Sequence, residues 1–118
     1  MTIHRTPSLY PGRSPAVAYG GLVFAVATAR STSPSVAEQT RLTLAALEKN
    51  LEAGGSDRTR ILQATVYLRD MGKKEEMDAV WCDWIGPAEN WPQRACVGTD
   101  LAGDDLVEIV VVAAALDA

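Results

Sequence analysis

The segment Leu106-Val107-Glu108-Ile109-Val110-Val111-Val112 constrains the fold more than any other stretch of the chain. Its β-branched residues suit a pleated strand. Both alternating faces are apolar apart from Glu108, so both faces of that strand must be covered. The question is then what the rest of the chain offers as cover.

Two helices are expected. Ser35-Val36-Ala37-Glu38 has the capping-box pattern, in which Ser35 and Glu38 each satisfy the other's free backbone amide. Val36, Thr40, Leu44, Leu47 and Leu51 follow at steps of three or four and form one apolar stripe, which Gly54-Gly55 brings to an end. From Gly72 to Ile85, Met77, Val80, Trp81, Trp84 and Ile85 form a second stripe, closed by Gly86-Pro87. One stripe per helix puts both helices on one face of a single sheet. A second subunit is the natural cover for the other face, and an oligomer is expected.

The remaining strands follow from local chemistry. Gly20-Gly21 separates the β-type runs Ala16–Tyr19 and Leu22–Ala27, and glycines supply the positive φ that a tight hairpin needs. Ile61 to Leu68 is the next strand, and Trp91-Pro92-Gln93-Arg94-Ala95-Cys96-Val97 the one after it. The order is β-β-α-β-α-β-β, an α+β domain with one mixed sheet. Residues 1–118 form a single domain, with residues 1–15, rich in Pro, Ser, Gly and Arg, as an irregular lead with room for one short strand.

Composition narrows the function. A net charge of −4 and a pI near 4.9 argue against broad attraction to nucleic acid, which needs clustered Lys and Arg. The longest apolar runs fall short of the roughly 20 residues that span a bilayer. The amino terminus has no apolar signal-peptide core, so a cytoplasmic location is expected. Cys82 and Cys96 read as free thiols. His4 is the single histidine and no ligand pair has metal spacing, so no metal is expected.

Two charges stand out against this background, Arg94 and Glu108, each alone in an apolar strand. Leaving such a charge buried and unpaired costs several kcal/mol, on the order of the penalty for breaking a buried ion pair. They mark a place where charge is wanted. A salt bridge between subunits would satisfy Arg94, and an arginine or a backbone amide would satisfy Glu108. Cys96 needs a neighbouring base to act as a nucleophile, and packing is the simpler role. Trp91 is placed to cap a cleft or rest on a neighbouring subunit, and Arg13 reads as a second cleft cation or a solvated surface residue.

The succession Glu38-Gln39-Thr40-Arg41, Leu51-Glu52-Ala53-Gly54-Gly55-Ser56, Ala64-Thr65-Val66-Tyr67-Leu68, Trp81, Trp84, Pro92, Arg94-Ala95-Cys96-Val97 and Val107-Glu108-Ile109 resembles the YjgF/Rid family, the reactive-intermediate deaminases, in its YoaB-like branch. The resemblance implies a chorismate-mutase-like fold in a barrel-like homotrimer with a cleft at each subunit interface. It implies hydrolysis of enamines and imines to 2-keto acids and ammonia without a cofactor. Arg94 falls on the family arginine that binds the substrate carboxylate, and Glu108 on the acid that helps activate water. Cys96, Arg13 and Trp91 are expected to line the cleft. Two departures are visible: Arg13 stands nearest to a family aromatic position, for which Tyr10 and Tyr19 are not clear substitutes, and Ala27-Thr28-Ala29 replaces a Ser-Gly-Gln-like strand end. A non-catalytic module binding 2-keto acids or similar carboxylates is the alternative, and an endoribonuclease or translation-inhibitor role is disfavoured by the acidic balance.

Overall fold

The computed structural model describes residues 1–117. Gly20 and Gly21 adopt φ of 61° and 82° and turn strand β2 (Ala16–Tyr19) back into β3 (Leu22–Thr28). Helix α1 (Val36–Gly54), strand β4 (Ile61–Leu68), helix α2 (Lys74–Ile85), strand β5 (Gln93–Gly98) and strand β6 (Val107–Ala114) follow. A two-residue strand, β1 (His4–Arg5), pairs with β2 at the sheet's edge. Its residues are exposed on both sides, which is why no hydrophobic pattern announces it.

The sheet order is β1-β2-β3-β6-β4-β5. β6 is antiparallel to both β3 and β4, while β5 joins β4 in parallel through the α2 crossover, so the sheet is mixed. Strand alternation sorts the residues. Val107, Ile109, Val111 and Ala113 of β6 are buried beside Val23, Ala25 and Ala27 of β3 and Ala64, Val66 and Leu68 of β4, beneath the two helices. The opposite face carries Phe24, Val26, Thr28, Glu108, Val110 and Val112, with Phe24 44% and Val110 38% exposed. Both helices do lie on one face, and in a single chain the apolar opposite face is bare.

Two local details decide how α1 sits. The Ser35 hydroxyl accepts from the Glu38 amide at 3.1 Å, but the Glu38 carboxylate turns to the Ser33 hydroxyl at 2.9 Å, so only half of the expected capping box forms. The Ser35 amide donates to Ser33 Oγ instead. At the other end Gly54 has no room for a side chain, since a Cβ would stand 2.6 Å from Val23 Cγ1. The α2 segment begins later than its periodicity suggests. Met71–Lys73 is a 3-10 turn, held by Asp70 accepting from the Gly72 amide, before the α-helix starts at Lys74.

Candidate functional site

The parallel register sets Arg94 beside Ala64 and Cys96 beside Val66, which turns both side chains toward the helix-covered face. Arg94 Nη2 donates to Asp78 Oδ1 at 2.6 Å, and its guanidinium lies over the Trp81 ring, 5.3 Å from the centroid. Asp78 also accepts from Lys74 at 2.7 Å. Burial alone would raise the Asp78 carboxyl, yet the hydrogen bonds and charges of Lys74 and Arg94 outweigh it and hold the group below its usual value. A guanidinium has five N–H donors in a planar fork. Asp78 engages one nitrogen and Met77 sulfur is a weak partner for another at 3.8 Å, so donor capacity remains on a side chain that is fixed in place. β5 is the last strand of the sheet, and its outer edge is unpaired.

Cys96 is half-buried on the same face. Burial pushes its thiol up, against the pull of Arg94, so the reactive thiolate is disfavoured. His4 stands on β1 at the other edge of the sheet, roughly 24 Å away at the usual strand spacing. Trp91 is 66% exposed just ahead of β5, with its indole N–H donating to the Gly86 carbonyl at 3.0 Å.

Glu108 lies elsewhere. It pairs with Thr28 on one side and Tyr67 on the other, on the face that carries no helix. Within one chain Arg94 and Glu108 are therefore on opposite faces of the sheet, two strands and about three residues apart, or roughly 14 Å between Cα atoms. The fold does not bring the two charges together in a single copy.

Glu108 opens into a groove. β2 stops pairing at Ala16–Ala25, so the end of β3 loses its neighbour, and residues of the lead fold across the notch. The resulting cavity of about 650 Å³ gathers Glu108, Thr28, Arg13, Tyr10, Arg30 and Asp105. Burial raises the Asp105 carboxyl, partly offset by Arg69. Two cations lie over Tyr10, with the Arg30 guanidinium 4.4 Å and that of Arg13 5.0 Å from its ring centroid. Tyr19 lines a different, shallower concavity, which carries no such cluster of charges. Arg30 is the only described non-glycine residue with positive φ, 51°, a conformation that costs about 1–2 kcal/mol for a residue with a Cβ.

Gln39 does not line the groove but ties together the two segments that flank its residues Arg30 and Asp105. Fully buried, it donates to the carbonyls of Ser33 at 2.8 Å, Asp104 at 2.9 Å and Ser31 at 3.3 Å, and accepts from the Leu106 amide at 2.9 Å. One side chain thus ties the segment after Arg30 to the loop before β6. Among the described residues no three His, Cys, Asp or Glu side chains come together as metal ligands would, and no helix is long and apolar enough to cross a membrane.

Sequence reasoning places Arg94, Glu108, Cys96, Arg13 and Trp91 without revealing that they fall into two groups. Arg94 and Cys96 share the β5 side, with Trp91 just ahead of that strand, while Glu108 and Arg13 share the groove. It overlooks Asp78 and Arg30, and sets Tyr10 aside although Tyr10 lines the groove. Asp78 left a trace, since it stands four residues after Lys74 and three before Trp81 on one helix face. Tyr10 and Arg30 lie outside regular elements, where no periodicity reports on them.

A mixed sheet of six strands with two helices on one face, an edge arginine and an acid in a groove at the end of β3 define an α+β protein of the YjgF type. The family model described as Endoribonuclease L-PSP matches residues 13–115. A RutC family protein of Haemophilus ducreyi is 38% identical over 98 residues, covering 81% of this chain and 83% of that protein. The RutC family protein YoaB of Escherichia coli is 38% identical over 78 residues, 65% of this chain and 68% of its own. A YjgF family member from Neisseria meningitidis superposes with a TM-score of 0.90 at 38% identity, over 100% of this chain and 98% of that one. The chain belongs to the YjgF/Rid family.

Proposed function

We propose that this protein hydrolyses 2-imino acids and their enamine tautomers to 2-keto acids and ammonia, in the cytoplasm, as a homotrimer whose sites form between copies. The observation that carries the reading is Arg94: a guanidinium fixed by Asp78 and Trp81 on an unpaired edge strand, with donors left over for a carboxylate. Bidentate pairing there would fix where the imine carbon sits. Glu108 takes a proton from water as the oxygen adds to the C=N carbon. The carbinolamine then collapses, the C–N bond breaks, and ammonia leaves with the protons from water. An imine is already electrophilic, so no cofactor is called for. Two observations support a composite site: Arg94 and Glu108 lie on opposite faces, and the bare apolar face suits cover by a neighbouring copy.

The reading as a non-catalytic module for small carboxylates has its own support. Of Ala27-Thr28-Ala29, Ala27 is buried on the helix side and Ala29 carries only a methyl group, so Thr28 is the one residue of that strand end with a hydroxyl, beside Glu108. Turnover separates the two. Imino acids generated by an amino-acid oxidase are trapped with semicarbazide, and loss of trapped product is compared for the native protein and Arg94→Ala. Competition with the trap that Arg94→Ala abolishes supports the deaminase. Binding of keto acids with no competition, across small, branched and aromatic imines, leaves the binding module.

A further inference from the structure

The groove beside Glu108 holds more positive charge than the proposed reaction needs. Arg13, Arg30 and Lys49 line it against Glu108 and Asp105, in a chain whose net charge is −4. Among the described residues, no carboxylate lies within ion-pair distance of Arg13 or Arg30, although four other pairs form on the same molecule. Both guanidiniums instead lie over Tyr10, 5.0 and 4.4 Å from its ring centroid, and Arg13 also donates to the Pro11 carbonyl at 3.3 Å, so two like charges share one aromatic ring. Arg30 does this from a left-handed backbone position that glycine or asparagine would occupy with less strain. A side chain kept at a strained position, and aimed with a second arginine at one aromatic ring, is a cation presented to the groove.

Resting on the deaminase reading, we propose that Arg13 and Arg30 bind a second anionic group of the substrate, and that the preferred substrate is a 2-imino dicarboxylate. The α-carboxylate pairs with Arg94 of one copy, while the distal carboxylate meets the Arg13–Tyr10–Arg30 stack in the groove that also holds Glu108. Planar guanidinium forks suit carboxylate oxygens, and their contact with Tyr10 holds both cations at the groove before the ligand arrives. The reaction balances as for any imine: one water is consumed, the C=N bond becomes C=O, and ammonia is released with both carboxylates unchanged. An enzyme oxidising an acidic amino acid at its α-carbon would supply such a substrate.

The test compares the imine of aspartate with that of alanine, each generated in place by a suitable oxidase and followed by semicarbazide trapping. The native protein should favour the dicarboxylate imine by roughly tenfold or more in kcat/KM, the order expected for one added charge-assisted pair. Arg13→Gln with Arg30→Gln should bring that ratio close to one, mainly through KM, and Arg30→Lys should restore part of it. A clamp that only holds the lead in place would change both substrates alike. A ratio near one in the native protein, or one that survives in the double variant, overturns the proposal and leaves the deaminase reading standing. Calorimetric titration with 2-oxoglutarate and pyruvate adds a readout free of turnover. If no imine is hydrolysed but 2-oxoglutarate binds the native protein and not the double variant, the anion site stands and the deaminase reading falls. If 2-oxoglutarate binds both equally or neither, the anion site is refuted.

Discussion

Replacing Gln39 by leucine tests how the groove is held. The side chain is fully buried and makes three bonds of ordinary length, to the Ser33 and Asp104 carbonyls and the Leu106 amide, plus a longer one to Ser31. Leucine fills nearly the same volume and gains apolar burial, but it strands these backbone groups. A hydrogen bond contributes about 1 kcal/mol net, and a stranded buried group costs about 1–3 kcal/mol. The Asp104 residue is exposed, so its carbonyl can turn to water. The Ser33 carbonyl and the Leu106 amide, on half-buried residues, bear most of the loss. The expected destabilisation is about 2–3 kcal/mol, or a fall in Tm of roughly 6–15 °C for a chain of this size. Urea unfolding at fixed protein concentration measures the first quantity. Hydrogen exchange measures a sharper one, because the Leu106 amide should lose protection ahead of its β6 neighbours. Less than about 0.5 kcal/mol lost, with Leu106 exchange unchanged, would refute the assignment of Gln39 as the tie between the two loops.

Three further outcomes are expected. Gly54→Ala, which would favour a helix on propensity alone, should destabilise by about 1–3 kcal/mol because its Cβ would meet Val23 in the core at 2.6 Å; a rise in Tm contradicts this. Thr43 Oγ1 is buried without a partner, so Thr43→Val should leave stability unchanged or raise it by up to about 1 kcal/mol, as read by the urea midpoint. The carboxyls of Asp57, bonded by Thr59, and Asp78, bonded by Lys74 and Arg94, titrate below their usual 3.8. Their contribution is fully present above that pH and lost as pH falls through the lower native values. Asp57→Asn and Asp78→Asn should therefore cost more stability at pH 7 than below pH 3.8, flattening the acid limb of the stability curve; equal losses at both pH values would contradict it.

The fold was legible because hydrophobic period reports directly on cover. The stripes of α1 and α2 and the doubly apolar β6 imply two helices on one face of a sheet with the other face left to a partner, and the chain has that arrangement up to the partner. β1 was hard to read because two exposed edge residues bury nothing. Arg94 and Glu108 were visible as charges out of place, but sequence spacing does not say which side of a sheet each faces. That depends on register, and a shift by one residue reverses it. The grouping of Tyr10 with two arginines was hidden for a related reason, since Tyr10 and Arg13 come from the lead and Arg30 is the second residue past β3, joined only in space.

The central claim is that Arg94 of one copy and Glu108 of another make one site. Arg94→Ala and Glu108→Gln should each be inactive in imine hydrolysis. Unfolded together in equal amounts and refolded as mixed oligomers, they should recover about a quarter of native activity, since a quarter of the head-to-tail interfaces then carry both native residues. A mixture as inactive as its parents, with mixing verified by mass, would contradict a site shared between copies.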